Sequence, residues 1–250
     1  MSTIAIVTGG GSGIGRGIVE HLAALQYRVV ILDKDSKSTA AVRQAVTQVG
    51  GNCEALIGDL TDYAATASLV ETAIGRFGVP RLLVNNVGGD VTAPFLKTEP
   101  ASWMSSIERN LLTCFNMHHL MLPHMIRAKG GRIVNISSDS ARVGLPNVAV
   151  YAACKGAIIS FTKCLAREMA PHGILMNTIC PGITDTPALR TVIENASDGQ
   201  AWVDSIVGQI PLGRMAVTED FGPIVAFLAG PGGDYITGQT ISINGGKTMV

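Results

Sequence analysis

The first strand–loop–helix unit constrains the fold more than any other part of the chain. Residues 4–8 form a short apolar, β-branched run that is typical of a buried strand. A glycine-rich loop follows at 9–15, and beyond it Ile18, Leu22 and Leu25 recur at helical spacing. A strand, a glycine loop and a helix in this order direct backbone N–H groups and a helix N-terminus at an anion such as a phosphate.

The glycines follow the spacing T-G-x-x-x-G-x-G, with Gly9, Gly13 and Gly15 as its fixed positions. A glycine loop alone also fits an ordinary strand-to-helix turn. Because the loop lies in the first strand–helix unit, we interpret it as a nucleotide phosphate site that includes Ser12 and Ile14.

The second predicted strand, 28–32, ends at Asp33, which lies 20 residues after Gly13. A carboxylate in this position accepts hydrogen bonds from the adenosine ribose hydroxyls and repels a 2′-phosphate. Asp33 therefore predicts NAD in preference to NADP. Lys34 and Arg16 add positive charge nearby and weaken this argument slightly without removing the carboxylate.

Strands and helices alternate along the rest of the chain. This pattern predicts an α/β fold with a parallel sheet, built as one doubly wound domain over residues 1–250. The polar segment 185–209 departs from the pattern and is expected to be irregular; we interpret it as a mobile substrate lid, with a surface insertion as the alternative. The further strands are predicted to end near 58–60 and to span 81–84, 132–136, 175–179 and 240–243, with helices at about 36–49, 62–77, 103–127 and 218–228.

Composition excludes several classes of function. Lys plus Arg and Asp plus Glu number 19 each, so no global field attracts nucleic acid or an anionic membrane. Five scattered cysteines without a C-x-x-C pair predict reduced thiols in a cytoplasmic protein. No signal peptide is expected at the N-terminus, and no apolar segment is expected to reach the ~20 residues of a membrane span.

Several polar side chains in the apolar segments need an explanation. Asn110 interrupts a long apolar helix, where it either bonds locally or holds a water near an active site. On the same helix, Cys114, His118 and His119 have no carboxylate or further cysteine to complete a ligand set. We therefore expect packing or surface histidines and no metal site.

Polar residues also follow the predicted strands, where open parallel sheets bind ligands. Asp59 follows the third strand and could contact adenine, cap the next helix, or do both. Asn85 and Asn86 follow the fourth strand and suit a turn, a bridge between strands or a ligand cleft.

Tyr151 and Lys155 begin an apolar helical run after the fifth strand. Residues four apart share a helix face, so the ammonium lies beside the phenol and lowers its pKa from about 10. Such a pair also occurs by chance at protein surfaces. Ser137, Ser138 and Ser140 come at the carboxyl end of the preceding strand, beside this pair, which favours a proton-transfer site.

Together these residues resemble the classical short-chain dehydrogenase/reductase family over essentially the whole chain. The one departure noted is Val87, where the family usually has alanine. The resemblance implies a Rossmann fold with seven parallel strands in the order 3-2-1-4-5-6-7 and a homotetramer packed through the two long helices. The motifs that carry it are TGGGSGIG (8–15), Asp59-Leu60, Asn85-Asn86-Val87-Gly88, Asn110, Ser138, Tyr151-x-x-x-Lys155, and Pro181-Gly182 with Thr186.

The resemblance also implies a role for each motif residue. Ser138 would hydrogen-bond the substrate oxygen and Tyr151 would exchange a proton with it. Lys155 would lower the pKa of Tyr151 and hold the nicotinamide ribose, while Asn110 would position a water. The implied cofactor contacts are Gly9, Ser12, Gly13, Ile14, Gly15, Asp33, Asp59, Leu60, Asn86, Val87, Gly88, Tyr151, Lys155, Pro181, Gly182 and Thr186, and the implied substrate contacts are Ser138, Ser140, Arg142, Tyr151 and Arg190.

Residues 135–186 resemble, more narrowly, the 2-hydroxycyclohexanecarboxyl-CoA dehydrogenases. This likeness implies a β-hydroxyacyl thioester substrate, whose coenzyme A phosphates would meet basic residues such as Arg142, Arg190 or Lys97; each is also readily explained as a solvated surface charge. A reductase resembling 3-oxoacyl-(acyl carrier protein) reductase, or another small secondary alcohol dehydrogenase, is the alternative. A non-catalytic NAD-sensing protein is an alternative of another class, against which the presence of Ser138, Tyr151 and Lys155 argues.

Overall fold

A computed structural model describes residues 2–89 and 92–250. Within these ranges the sheet has seven strands, all paired in parallel, in the order β3-β2-β1-β4-β5-β6-β7. The predicted strand order is confirmed. The strands are β1 (Ile4–Thr8), β2 (Arg28–Asp33), β3 (Asn52–Ile57), β4 (Leu82–Asn85), β5 (Gly131–Ile136), β6 (Ile174–Pro181) and β7 (Thr240–Ile243).

Helices cover both faces of this sheet, as in a Rossmann fold. Alternate strand residues face opposite sides: Ala5 and Val7 join a core cluster with α1, α2 and α10, whereas Ile6 joins a second cluster with α3, α5 and α7. The doubly wound α/β fold is therefore confirmed. The α-helices are α1 (Gly13–Ala24), α2 (Ser36–Gln48), α3 (Tyr63–Phe77), α4 (Pro100–Ile107), α5 (Thr113–Arg127), α6 (Ser140–Val143), α7 (Ala149–Met169), α8 (Pro187–Glu194), α9 (Gly199–Val207) and α10 (Gly222–Ala229).

The single helix predicted at 103–127 is divided by a π-helical turn. This turn spans Glu108–Leu112, between α4 and α5, and contains the buried Asn110. The Asn110 amide donates to the main-chain oxygen of Ser106 at 3.0 Å. A side chain that bonds the main chain competes with the regular helical ladder, and single π turns mark such positions.

The segment 185–209 is helical where the sequence pattern predicted irregular chain. That prediction is wrong because the short helices α8 and α9 occupy most of the segment. Thr186 caps α8 by accepting a hydrogen bond from Leu189 N at 3.3 Å, and Pro187 takes the first helical position. The eight residues that follow these start signals are amphipathic, so the signals for this helix are local, and the polar composition of the whole segment masks them.

The helix α7 contradicts the expectation that no segment of the chain is long and apolar enough to span a membrane. Residues 149–172, which are α7 and a 3₁₀ extension, reach 24 residues with a mean hydropathy of 1.3, enough by length and composition alone to cross a bilayer. A helix that packs lengthwise on a sheet meets the same criteria. In α7, buried residues recur at helical spacing from Cys154 through Ile158 and Thr162 to Ala166, on the face that packs against the sheet.

Candidate active site

A cleft of about 820 Å³ opens at the carboxyl ends of the central strands. This is the edge where parallel α/β sheets bind ligands. Nearly all of the predicted cofactor positions line it, and they come from the loops after β1, β2, β3, β4, β5 and β6. They are Gly9, Ser12, Gly13, Ile14, Asp33, Asp59, Leu60, Asn86, Val87, Gly88, Tyr151, Lys155, Pro181, Gly182 and Thr186, together with Ser138.

The glycine loop is held open by Asn86. Its amide donates to the main-chain oxygens of Thr8 and Gly9 at 3.1 and 3.0 Å, while its N–H donates to the Thr8 hydroxyl at 2.9 Å. Gly9 and Gly13 both have positive φ, which favours glycine. Gly15 packs against the main chain of the loop: a Cβ at this position would come within 2.2 Å of the Gly9 oxygen. Gly15 thus supports the loop without lining the cleft.

Asp33, the last residue of β2, lines the cleft beside the glycine loop. One carboxylate oxygen accepts the Gly11 N–H at 2.9 Å and the other accepts the Asp35 N–H at 3.0 Å. A carboxylate has about four acceptor sites, so it can also receive hydroxyl donors from a ligand. A glycine loop and, next to it, a carboxylate with unused acceptor sites fit a dinucleotide, with phosphates at the loop and a ribose at Asp33.

Asp59 is bonded within its own turn. One of its oxygens accepts the Thr61 N–H at 2.9 Å and the Thr61 hydroxyl at 2.8 Å, and these hydrogen bonds lower the pKa of Asp59. The cap of α3 is Asp62, which accepts from Ala65 N at 2.8 Å. Asp59 therefore lines the cleft without capping α3, and its contact with adenine stays a prediction.

Lys155 is buried at the centre of the cleft wall. Its ammonium donates to the Ile136 oxygen at 2.9 Å and lies 5.8 Å from the centroid of the Tyr151 ring. Burial lowers the pKa of Lys155 to about 8. The Ser137 hydroxyl donates to the main-chain oxygen of Lys155 at 2.8 Å. The start of α7 is thus bonded to the end of β5, which places Tyr151 and Lys155 side by side.

Ser138 faces the cleft and Ser140 lies behind it. The Ser140 N–H donates to the Ser138 hydroxyl oxygen at 3.2 Å, and the two hydroxyl oxygens are 2.9 Å apart. Ser140 is buried and is absent from the cleft lining. Its placement supports Ser138 directly, and a contact between Ser140 and substrate stays a prediction.

Asn110 lies one layer behind the cleft. Its side chain accepts the Gly89 N–H at 2.9 Å and donates to the Gly89 oxygen at 3.0 Å. A Cβ added to Gly88 would lie 2.9 Å from the Asn110 oxygen and 2.6 Å from the Lys155 ammonium. Asn110 therefore makes the local bonds that a buried asparagine needs, close to the lysine; its water-positioning role stays a prediction.

The basic residues predicted for substrate contacts lie away from the cleft lining. Arg190 forms a two-point ion pair with Asp185, at 2.6 and 2.8 Å. Arg142 donates to the Ser242 hydroxyl at 2.8 Å and to the Val250 carbonyl. Lys97 lines a separate cavity of about 350 Å³. Their roles toward substrate stay predictions.

The cleft lining also includes residues that the sequence pattern does not single out, among them Arg109, Thr113 and Thr184. Thr113 lies one helical turn after Asn110, and this spacing places both residues on the same helix face, from which the sequence could have predicted Thr113 as a site residue. Arg109 and Thr184 carry no such signal, since an isolated arginine or threonine is unremarkable in a sequence.

His118 belongs to the interior between α5 and the sheet. Its Nδ1 donates to the Cys114 oxygen at 2.7 Å, and burial lowers the pKa of His118 to about 4. Asn85 donates to Asn135 at 2.9 Å beside it, bridging β4 and β5. Within the described ranges no group of three or more His, Cys, Asp or Glu is placed to hold a metal ion.

Comparison with known proteins agrees with this geometry. Residues 3–197 match the short chain dehydrogenase family. A 2,3-dihydroxy-2,3-dihydro-p-cumate dehydrogenase of Pseudomonas putida is 38% identical over 99% of this chain and 95% of its own. The 3-oxoacyl-(acyl-carrier-protein) reductase of Escherichia coli is 34% identical over 99% and 98%. The acetoacetyl-CoA reductase of Shinella zoogloeoides is 36% identical over the full length of both chains.

A solved structure shows the same fold. A variant of the actinorhodin polyketide ketoreductase, solved with NADPH, superposes with a TM-score of 0.94 at 30% identity, covering 98% of this chain and 97% of its own. The chain belongs to the short-chain dehydrogenase family. It is an oxidoreductase that acts on a secondary alcohol or the corresponding ketone and binds a nicotinamide cofactor.

Proposed function

We propose that the protein is an NAD-dependent dehydrogenase that oxidises a β-hydroxyacyl thioester, such as 2-hydroxycyclohexanecarboxyl-CoA, to the β-keto thioester. The observation that carries the catalytic part is the convergence of Ser138, Tyr151 and Lys155 on one cleft, which Asp33 also lines. Two relatives are named for 3-oxoacyl and acetoacetyl thioesters, which supports the thioester class. The same residues argue against a non-catalytic NAD sensor.

Ser138, Tyr151 and Lys155 have separate roles in the proposed reaction. The Ser138 hydroxyl donates a hydrogen bond to the substrate oxygen, and the Tyr151 phenolate takes the hydroxyl proton from that oxygen. The buried Lys155 ammonium favours the phenolate form of Tyr151. Bound NAD supplies the hydride acceptor for the carbinol carbon. Pro181, Gly182 and Thr186 also line the cleft and would orient the nicotinamide.

A second candidate is a cyclic secondary alcohol that carries no coenzyme A. The relative named for 2,3-dihydroxy-2,3-dihydro-p-cumate supports this candidate. The placement of Arg142 and Arg190 in other contacts also weakens the argument from coenzyme A phosphates. The catalytic roles of Ser138, Tyr151 and Lys155 are the same for both candidates.

The wider arrangement of the protein follows from this proposal. Residues 1–250 form one domain, in which α8 and α9 of segment 185–209 close over the substrate. Four copies pack through α5 and α7 as a cytoplasmic homotetramer. Light scattering tests the assembly, and a monomer would exclude it.

The test of the function is a substrate panel. Purified protein with NAD is given hydroxyacyl thioesters, the corresponding free hydroxy acids and cyclic diols, and reduction of NAD is followed optically. We expect turnover that is fastest with a hydroxyacyl thioester and absent in a Tyr151→Phe preparation. Faster turnover of the free acids or diols would favour the second candidate, and no turnover of any member with NAD or NADP would refute the proposal.

A further inference from the structure

One buried carboxylate connects the turn at Ser138 to the C-terminal tail. Asp139 is 6% exposed. It accepts hydrogen bonds from the Ser242 hydroxyl at 2.7 Å, the Asn244 amide at 2.5 Å and the Thr248 hydroxyl at 2.5 Å. Donors to an ionised acceptor form strong hydrogen bonds, and three donors on one buried carboxylate hold it in a single orientation.

Main-chain hydrogen bonds also hold the turn around Asp139 in place. The Asp139 N–H donates to the Pro181 oxygen at 3.0 Å, and the Ser137 N–H donates to the Ile179 oxygen at 2.8 Å. Asn244 also donates to the main-chain oxygen of Thr248 at 2.9 Å. The tail and the turn are therefore fastened at the same carboxylate, on the side of the turn away from the cleft.

The orientation of the Ser138 hydroxyl depends on this turn. Its oxygen accepts the Ser140 N–H, so the positions of residues 139 and 140 decide where it points. Misplacing a reacting group by about 1 Å can cost roughly 100-fold in rate even when the change is distant from the chemistry. Asp139 shares a peptide bond with Ser138 and is not itself among the residues that line the cleft.

We propose that Asp139 is a positioning residue for Ser138, and that the C-terminal tail completes the catalytic turn through the Thr248 hydroxyl. The inference rests on the proposed role of Ser138. It places a functional requirement on a residue more than 100 positions away in the chain. The tail thus contributes to turnover without touching substrate or cofactor.

The test compares Thr248→Val with Thr248→Ser. Valine keeps the shape and removes the hydroxyl, whereas serine keeps the donor. We expect Thr248→Val to lower kcat by roughly tenfold or more with little change in NADH binding, and Thr248→Ser to restore kcat. Thr47→Val, which removes a hydroxyl from the exposed face of α2, is the matched control and should behave as the unaltered protein.

Hydrogen–deuterium exchange gives a readout that needs no substrate. Peptides covering 137–145 should exchange faster in Thr248→Val, while peptides of β1 and β2 stay unchanged. A normal kcat in Thr248→Val, or unchanged exchange at 137–145, would overturn the proposal. If the unaltered protein turns over no substrate, the proposed function fails, and the exchange measurement still decides whether the tail holds the turn.

Discussion

The Lys155 ammonium donates a 2.9 Å hydrogen bond to the carbonyl oxygen of Ile136, the last residue of β5. This bond holds a buried positive charge beside Tyr151, with the ammonium 5.8 Å from the ring centroid. Burial lowers the pKa of Lys155 to about 8, so the side chain is mostly charged at pH 7. The strand end, and not only the helical spacing, therefore decides where the charge acts.

Removal of the Tyr151 hydroxyl should abolish turnover without preventing cofactor binding. Tyr151→Phe keeps the ring and loses the proton-transfer group, so kcat should fall by roughly 100- to 10,000-fold. NADH binding, followed by fluorescence, should persist. A variant that turns over substrate at the normal rate would refute the mechanism.

Loss of the Asp33 carboxylate should narrow the preference for NAD over NADP. Asp33→Ala removes the charge that repels a 2′-phosphate and also frees the Gly11 N–H, so NAD affinity should fall while NADP affinity rises. The ratio of kcat/KM for the two cofactors measures the effect. Asp35→Asn is the control, because the Asp35 side chain bonds the first amides of α2. An equal ratio in Asp33→Ala and the unaltered protein would contradict the assignment.

Two glycine substitutions should have opposite outcomes. A Cβ at Gly15 would lie 2.2 Å from the Gly9 oxygen and 2.5 Å from the Asn86 amide, so Gly15→Ala should displace the glycine loop and weaken NADH binding. Gly75, in α3, has no neighbour within 4 Å of such a Cβ. Gly75→Ala should leave binding intact and stabilise the fold by about 0.5–1 kcal/mol. Binding titrations and urea unfolding distinguish these outcomes.

Stability should fall as the pH drops from 6.5 to 4, in part because of His118. Its folded-state pKa, about 4, lies below the ordinary value of 6.5. In this window the unfolded chain binds a proton that the folded chain does not, so the free energy of unfolding decreases with falling pH. The full effect is roughly 3 kcal/mol. His118→Gln should flatten this dependence in urea unfolding at pH 7 and pH 5, and an equal slope in both proteins would contradict it.

Local sequence patterns were sufficient for most of the architecture. Strand β7 at Thr240–Ile243 and a helix that begins near residue 62 follow from neighbouring residues alone, because apolar runs and helix starts depend on local chemistry. The π turn at Asn110 does not follow from the local pattern alone, since Asn110 bonds Gly89, 21 residues away, as well as Ser106 within its own helix. The helices α8 and α9 lie in a segment whose polar composition favours irregular chain, although α8 begins with local start signals at Thr186 and Pro187.

The amino-acid sequence by itself determined the alternation of strands and helices, the glycine loop, and the helical neighbours Tyr151 and Lys155, because each arises from residues within a few positions of one another. Only the tertiary structure decided that Lys155 bonds Ile136 and that Arg142 turns to the C-terminal residues. It also decided that the Asp139 carboxylate accepts hydrogen bonds from residues that are 103 to 109 positions away in the chain. Such contacts depend on how the sheet brings distant strand ends together, and no local pattern encodes them.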